Sequence, residues 1–227
     1  MAPRVLIVGA NRGLGLHFAL QYLEKGFNVC GTFRKESTDE AKELLDSGAE
    51  TLHLDLANET SIQEASKAFG DQPLDILINC AAAGNGSPNC FDTAIDEFTH
   101  KFRVSAVGPF LTARAFYPQL KKGTNPLVIN ISSNAGSISD NKSGGNLSYR
   151  TSKAALNMIT VDLARELAED NVTFVAMSPG WVQSKMSNWT GPLECLEAVT
   201  RMIKVIDGLT HEDNGTFWHR DGHQLAW

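Results

Sequence analysis

Val5-Leu6-Ile7-Val8-Gly9-Ala10-Asn11-Arg12-Gly13-Leu14-Gly15 is the stretch that decides the fold. Its four leading apolar residues are the kind of short run that makes a strand buried on both faces. Glycines follow at once, and a helical pattern then continues through Phe18, Leu20, Tyr22 and Leu23. A strand passing through a glycine-rich turn into a helix is a ready anion site. Small residues there let backbone N–H groups approach a pyrophosphate at the positive end of the helix. The spacing is G-x-x-x-G-x-G rather than the common G-x-G-x-x-G, and glycines at a tight turn can be purely structural. The flanking strand and helix favour nucleotide binding.

Phe27–Phe33 reads as a second strand with Arg34 at its end. An acid at that position accepts the ribose hydroxyls of NAD, whereas an arginine accommodates a 2′-phosphate. Arg12, inside the glycine turn, supplies a second guanidinium that could converge on the same phosphate. Two solvated surface arginines would give the same pattern. NADP(H) is the expected cofactor.

Strand and helix then alternate to the end of the chain. A helix is expected over Asp39–Leu45, a strand over Thr51–Leu54 ending at Asp55-Leu56, and a helix capped by Asn58 running to Phe69. Leu74–Ile78 makes a fourth strand that ends in Asn79-Cys80-Ala81-Ala82-Ala83-Gly84. A helical region covers Asp92–Leu120, with an irregularity near Gly108-Pro109, and Pro126–Ile131 is a fifth strand ending at Ser132-Ser133. Beyond a long helix opened by Ser148-Tyr149 come a strand over Val172–Met177, a helix over Leu193–Ile206 and a short strand near Gly215–Trp218. This order predicts an α/β fold, a doubly wound and mostly parallel sheet of seven strands with helices on both faces. Residues 1–227 are expected to form a single domain. In such sheets ligands bind beyond the carboxyl ends of the strands. Gly9, Arg34, Asp55, Asn79, Ser133 and Pro179-Gly180 all fall at such ends.

Composition narrows the class. With 227 residues, 42% hydrophobic and 20% charged, the chain can bury a full core. A net charge of -6 argues against a nucleic-acid surface. No apolar run approaches the roughly 18 residues needed to span a bilayer, and no signal peptide precedes the first strand. Cys30, Cys80, Cys90 and Cys195 are scattered without a C-x-x-C pair, and read as reduced thiols of a cytoplasmic protein. His219 and His223 stand four apart, but Gly222 between them disfavours a helix and no third ligand is evident. No metal is expected.

Tyr149 and Lys153 are also four apart, on the long helix, and so share a face. A phenol ordinarily holds its proton to about pH 10, and a fixed ammonium beside it favours the phenolate. Alone, the pair is weak; beside a dinucleotide cleft it becomes a candidate acid.

Taken in order, Gly9-x-x-x-Gly13-x-Gly15, Asp55, Asn79-Cys80-Ala81-Ala82, Ser132-Ser133, Tyr149-x-x-x-Lys153 and Pro179-Gly180 resemble the short-chain dehydrogenase/reductase family over essentially the whole chain. Asn11-Arg12-Gly13-Leu14-Gly15-Leu16, the run Tyr149–Asn157, Pro179-Gly180-Trp181-Val182 and the Asp221-Gly222…Leu225-Ala226-Trp227 ending resemble its sniffer-like carbonyl reductases. The bacterial C-factor proteins share these features. The resemblance implies a Rossmann-type fold that holds NADP(H) and reduces a small-molecule carbonyl substrate. Tyr149 would be the general acid, Lys153 would bond the nicotinamide ribose and lower the Tyr149 pKa, and Ser133 would bond the reacting oxygen, with Ser132 as runner-up. Gly9, Asn11, Arg12, Gly13, Leu14 and Gly15 would cradle the pyrophosphate and Arg34 would meet the 2′-phosphate. Asp55 and Leu56 would sit by the adenine, Asn79 and Ala81 by the adenosine ribose, and Pro179, Gly180, Val182 and Ser184 near the carboxamide.

Departures from the family pattern are Val8 for a common Thr, Cys80 for a usual Asn, and Ser105 for the Asn that helps hold a proton-relay water. The last bears on turnover. The lid, about 183–196, is short, and its Met186 and Trp189 either line an open apolar pocket or pack. The resemblance also implies a homodimer formed through the two long helices. A nucleotide-binding signalling protein of the C-factor type, with weak catalysis, is the alternative reading.

Overall fold

The computed structural model describes residues 2–84 and 86–227. Seven parallel strands form one sheet in the order β3-β2-β1-β4-β5-β6-β9. These are β1 (Arg4–Val8), β2 (Asn28–Phe33), β3 (Glu50–His53), β4 (Ile76–Asn79), β5 (Leu127–Ile131), β6 (Thr173–Ser178) and β9 (Thr216–His219). The short strands β7 (Val182–Gln183) and β8 (Leu193–Glu194) pair with each other outside this sheet. Strand order reverses between β1 and β4, and the crevice beyond their carboxyl ends is where a doubly wound sheet takes its ligand.

The apolar strands work because successive side chains leave opposite faces of the pleat. Val5, Ile7, Ile78, Ile129 and Val175 pack into one core, against α1 (Gly13–Glu24) and α7 (Cys195–Ile206). Leu6, Val8, Leu77, Val128 and Phe174 pack into the other, against α3 (Glu59–Phe69), α5 (Gly108–Leu120) and α6 (Leu147–Glu166). The central strands are thus clamped from both sides. Asn58 Oδ1 accepts from Ser61 N–H at 3.3 Å and caps α3, a contact worth about 1 kcal/mol.

Three boundaries depart from the sequence pattern. The segment expected as a helix over 39–45 is a 3-10 turn, Asp39–Ala41, followed by α2, Lys42–Asp46, because Ala41 leaves helical geometry at φ -98°, ψ 5°. Leu193 and Glu194, expected to open α7, are drawn into β8 by pairing with Val182 and Gln183. The irregularity expected near Gly108 is a π-turn at Arg103–Val107, between α4 (Ile95–Phe102) and α5. Single π-turns of this kind are frequent at functional sites, and this one carries Ser105.

Candidate active site

The glycine turn is built for close approach. A Cβ on Gly15 would lie 2.0 Å from the Gly9 carbonyl oxygen, and one on Gly9 would lie 2.6 Å from Ala81 Cβ. These two glycines pack helix α1 and the β4 turn against the end of β1. Gly13 differs: it holds φ +55° and nothing lies within 4 Å of its Cβ position. The start of α1 therefore faces open space with exposed N–H groups, which suits a diphosphate. Asn79 Oδ1 is buried with no hydrogen-bond partner among the described residues, at the place expected to meet a ribose. Both observations fit a dinucleotide along this edge.

Asn79 is held from beneath. Its Nδ2 donates to Asn130 Oδ1 at 2.8 Å, Asn130 Nδ2 donates to Thr160 Oγ1 at 2.9 Å, and Thr160 Oγ1 donates to the Leu156 carbonyl at 2.8 Å. A buried amide in the middle of an apolar strand is stable only when so satisfied. Asn130 and Thr160 escaped notice in the sequence, although the asparagine in Leu-Val-Ile-Asn-Ile was a visible signal.

At the other end, α6 carries Tyr149 and Lys153 toward the end of β5. Lys153 is 2% exposed, donates to the Ile131 carbonyl oxygen at 2.8 Å, and its Nζ lies 5.9 Å from the Tyr149 ring centroid. Burial lowers its pKa to about 8, with Cys80 nearby acting the other way. Tyr149 retains some exposed surface, but protein packed around the phenol raises its pKa, opposed by a hydrogen bond from Ser133. The lowering expected from Lys153 is not what governs the phenol here. Burial dominates, and the ammonium is committed to Ile131. Ser132, by contrast, is 2% exposed and donates to Asn157 Oδ1 at 2.6 Å. Of the serine pair, Ser133 is the one that meets Tyr149.

Ser105 is fully buried, and its Oγ accepts from Ala83 N–H at 3.1 Å, tying the π-turn to the loop after β4. Val182 packs with Cys195, Ala198 and Leu14, so the lid base and the glycine turn share one small core. Ser184 caps the 3-10 turn Lys185–Ser187 through a reciprocal box with Ser187. Gly180 holds φ +66°, and a Cβ there would meet the Arg220 guanidinium, whose end would have to shift. Met186 is 37% and Trp189 69% exposed. Asp55 Oδ1 accepts from Ala57 N–H at 2.9 Å, while Leu56 lies under Gly108.

Arg12 and Arg34 are the two arginines expected to meet a 2′-phosphate. Arg34 is exposed at the end of β2. The Arg12 guanidinium instead contacts Glu40, which also meets Asn11 Nδ2 at 3.4 Å and Lys185 Nζ at 3.1 Å. The hydrogen bond from Lys185, then the Arg12 charge, hold the Glu40 carboxyl below its ordinary range. Glu40 sits in a charged, featureless stretch of sequence that gave no reason to single it out.

His219 and His223 stack at 4.8 Å, and among the described residues no group of three or more metal-ligating side chains converges. No helix among them is long and apolar enough to cross a membrane.

Known proteins match this arrangement. The C-signal protein of Myxococcus xanthus is 34% identical over 155 residues, 68% of this chain and 93% of that protein. The NADPH-bound carbonyl reductase from chicken fatty liver superposes with a TM-score of 0.91 at 32% identity, over 100% of this chain and 99% of that one. The carbonyl reductase Sniffer of D. melanogaster does so with a TM-score of 0.92 at 31% identity over the whole of both chains. A family model described as short chain dehydrogenase matches residues 3–194. By that match, laid over the cleft just described, the chain belongs to the short-chain dehydrogenase family.

Proposed function

We propose that this oxidoreductase uses NADPH to reduce the carbonyl group of a ketone, aldehyde or quinone to an alcohol. The observation that carries the reading is the meeting of Ser133, Tyr149 and Lys153 beside the glycine cradle. Bound there, the dihydronicotinamide supplies the hydride that adds to the carbonyl carbon. Ser133 donates a hydrogen bond to the substrate oxygen and orients it. Tyr149 transfers its phenolic proton to that oxygen as negative charge develops, which completes the hydroxyl. Its high pKa keeps the proton on the phenol at neutral pH, as an acid requires. Lys153 anchors α6 against β5 and faces the tyrosine, ready for the ribose. Gly9, Gly13, Gly15, Asn79 and Ala81 form the cofactor's cradle, with Arg12 and Arg34 on the 2′-phosphate side.

NADPH oxidation against a carbonyl panel tests the reading, with Tyr149→Phe as control. The variant should lose about 100-fold or more in kcat while still binding NADPH. Turnover that survives loss of the phenol would sink this mechanism.

A signalling role with weak catalysis is the second reading. It is favoured by the relative named C-signal and by Ser105 where the relay asparagine is usual. Absence of turnover across the panel, with NADPH still bound, would support it. The quaternary form we propose is a homodimer in the cytoplasm. Ile95 and Phe102 on α4, and Leu147 and Met158 on α6, are exposed apolar residues at spacings that keep each pair on one face. Light scattering decides it.

A further inference from the structure

After β9 the chain reverses at Gly222, φ +85°, and runs back along that strand. His219 N–H donates to the His223 carbonyl at 2.8 Å, Trp218 bridges Gln224, and Leu225 N–H donates to the Phe217 carbonyl at 2.7 Å. The Trp227 ring then stacks on Phe217, with centroids 5.3 Å apart and planes at 17°.

This hairpin grips both segments that flank the catalytic pair. At its root, Arg220 N–H donates to the Ser178 carbonyl at 3.0 Å, and the Arg220 guanidinium donates to the Pro179 carbonyl. At its tip, the main-chain oxygen of Trp227 accepts from Ile138 N–H and Ser139 N–H, each at 3.1 Å, and from Ser137 Oγ at 3.1 Å and Ser139 Oγ at 3.0 Å. The loop so held leads from Ser133 to Tyr149. Its far end is fixed separately, where Arg150 Nε donates to the Gly144 and Gly145 carbonyls at 3.1 and 3.0 Å. Between the two anchors residues 140–143 are exposed, and at the first anchor Ile138 is 79% exposed. Such a segment keeps one shape only as far as its anchors fix it.

We infer that Trp227 is a positioning residue for the substrate. By holding the 137–139 loop it fixes the wall of the site between Ser133 and Tyr149, and Ile138 offers that wall's apolar surface to the carbonyl compound. The inference rests on the carbonyl-reductase reading of the same site. Four donors share the one Trp227 oxygen, so removal of one hydroxyl is partly covered by the rest. The test therefore removes both.

Trp227→Ala deletes the ring that seats the oxygen, and Ser137→Ala/Ser139→Ala deletes two donors while leaving the Phe217 stack. The double variant carries the test if Trp227→Ala does not fold. Both should raise KM for the carbonyl substrate about tenfold, with kcat and NADPH affinity within about twofold of the parent. Amide hydrogen exchange at Ile138 and Ser139 should accelerate. Unchanged exchange at those amides overturns the anchoring, and faster exchange with unchanged KM overturns the role in substrate binding. A parent protein without turnover on any carbonyl would defeat the enzyme reading instead, and the exchange comparison would still decide whether Trp227 holds the loop.

Discussion

The Lys153 ammonium donates to the main-chain oxygen of Ile131 at 2.8 Å, joining the catalytic helix to the end of β5. This bond keeps Lys153 on the Tyr149 side of the cleft at 2% exposure, and the same burial brings its pKa from 10.5 to about 8. The lysine that faces Tyr149 is therefore itself close to titrating near neutral pH.

A stability difference follows. Between pH 8 and 10.5 the unfolded chain retains the lysine proton and the folded chain has released it. The unfolded state then binds more protons at this site, so the Lys153 contribution to stability rises with pH across that window, while the buried thiols of Cys30 and Cys80, raised to about 12, contribute the opposite slope above pH 9. The full effect is on the order of 3 kcal/mol. In urea unfolding without cofactor, Lys153→Met should lack this rise, whatever its absolute stability. The same pH slope in both proteins would show that Lys153 is not the titrating group.

Glu40 draws together Asn11, Arg12 and Lys185, which belong to the glycine turn and the lid. Its carboxylate occupies the guanidinium that a 2′-phosphate would use. Exposed ion pairs of this kind are worth up to about 1 kcal/mol, so Glu40→Gln should tighten NADPH binding up to about fivefold and leave NADH affinity nearly unchanged. Titration calorimetry with both cofactors checks this. Weaker NADPH binding in the variant would mean that Glu40 orients Arg12 instead of competing for it.

The sequence made the sheet, the glycine cradle and the Ser133–Tyr149–Lys153 set readable because each depends on local pattern: apolar runs, small residues at a turn, and a four-residue spacing on a helix. What it hid depends on distant partners. Glu40 faces Arg12 and Lys185 only after the chain has folded. The pKa of Tyr149 follows from packing around the phenol, which no spacing reveals, so the expected lowering by Lys153 gave way to a rise. Ser105 was legible as a departure, but its bond to Ala83 N–H required the π-turn to be seen.

Asn130 bridges Asn79 and Thr160 in a buried polar chain. Asn130→Leu keeps the volume but strips partners from both neighbours, and each buried group left unpaired costs about 1–3 kcal/mol. Stability should drop by a few such units, and NADPH affinity should fall because Asn79 loses its fixed orientation. Thr160→Val, which disturbs only the far end, should cost less and leave affinity nearly intact. Equal NADPH affinity in the parent and Asn130→Leu would remove Asn79 from the cofactor site.

Ser105 stands where the resemblance leads one to expect the proton-relay asparagine. Its hydroxyl accepts the Ala83 N–H within a fully buried π-turn, so it holds the loop beside the cofactor edge. The larger asparagine would retain an acceptor for that N–H and add a carboxamide donor. Overpacking at such a position costs about 1–3 kcal/mol. Ser105→Asn should therefore melt earlier than the parent yet turn over faster with NADPH when rates are taken per folded molecule. Ser105→Ala, which abandons the Ala83 bond, should be slower than both. A rate for Ser105→Asn at or below that of the parent would show that proton supply does not limit turnover and that Ser105 serves the loop alone.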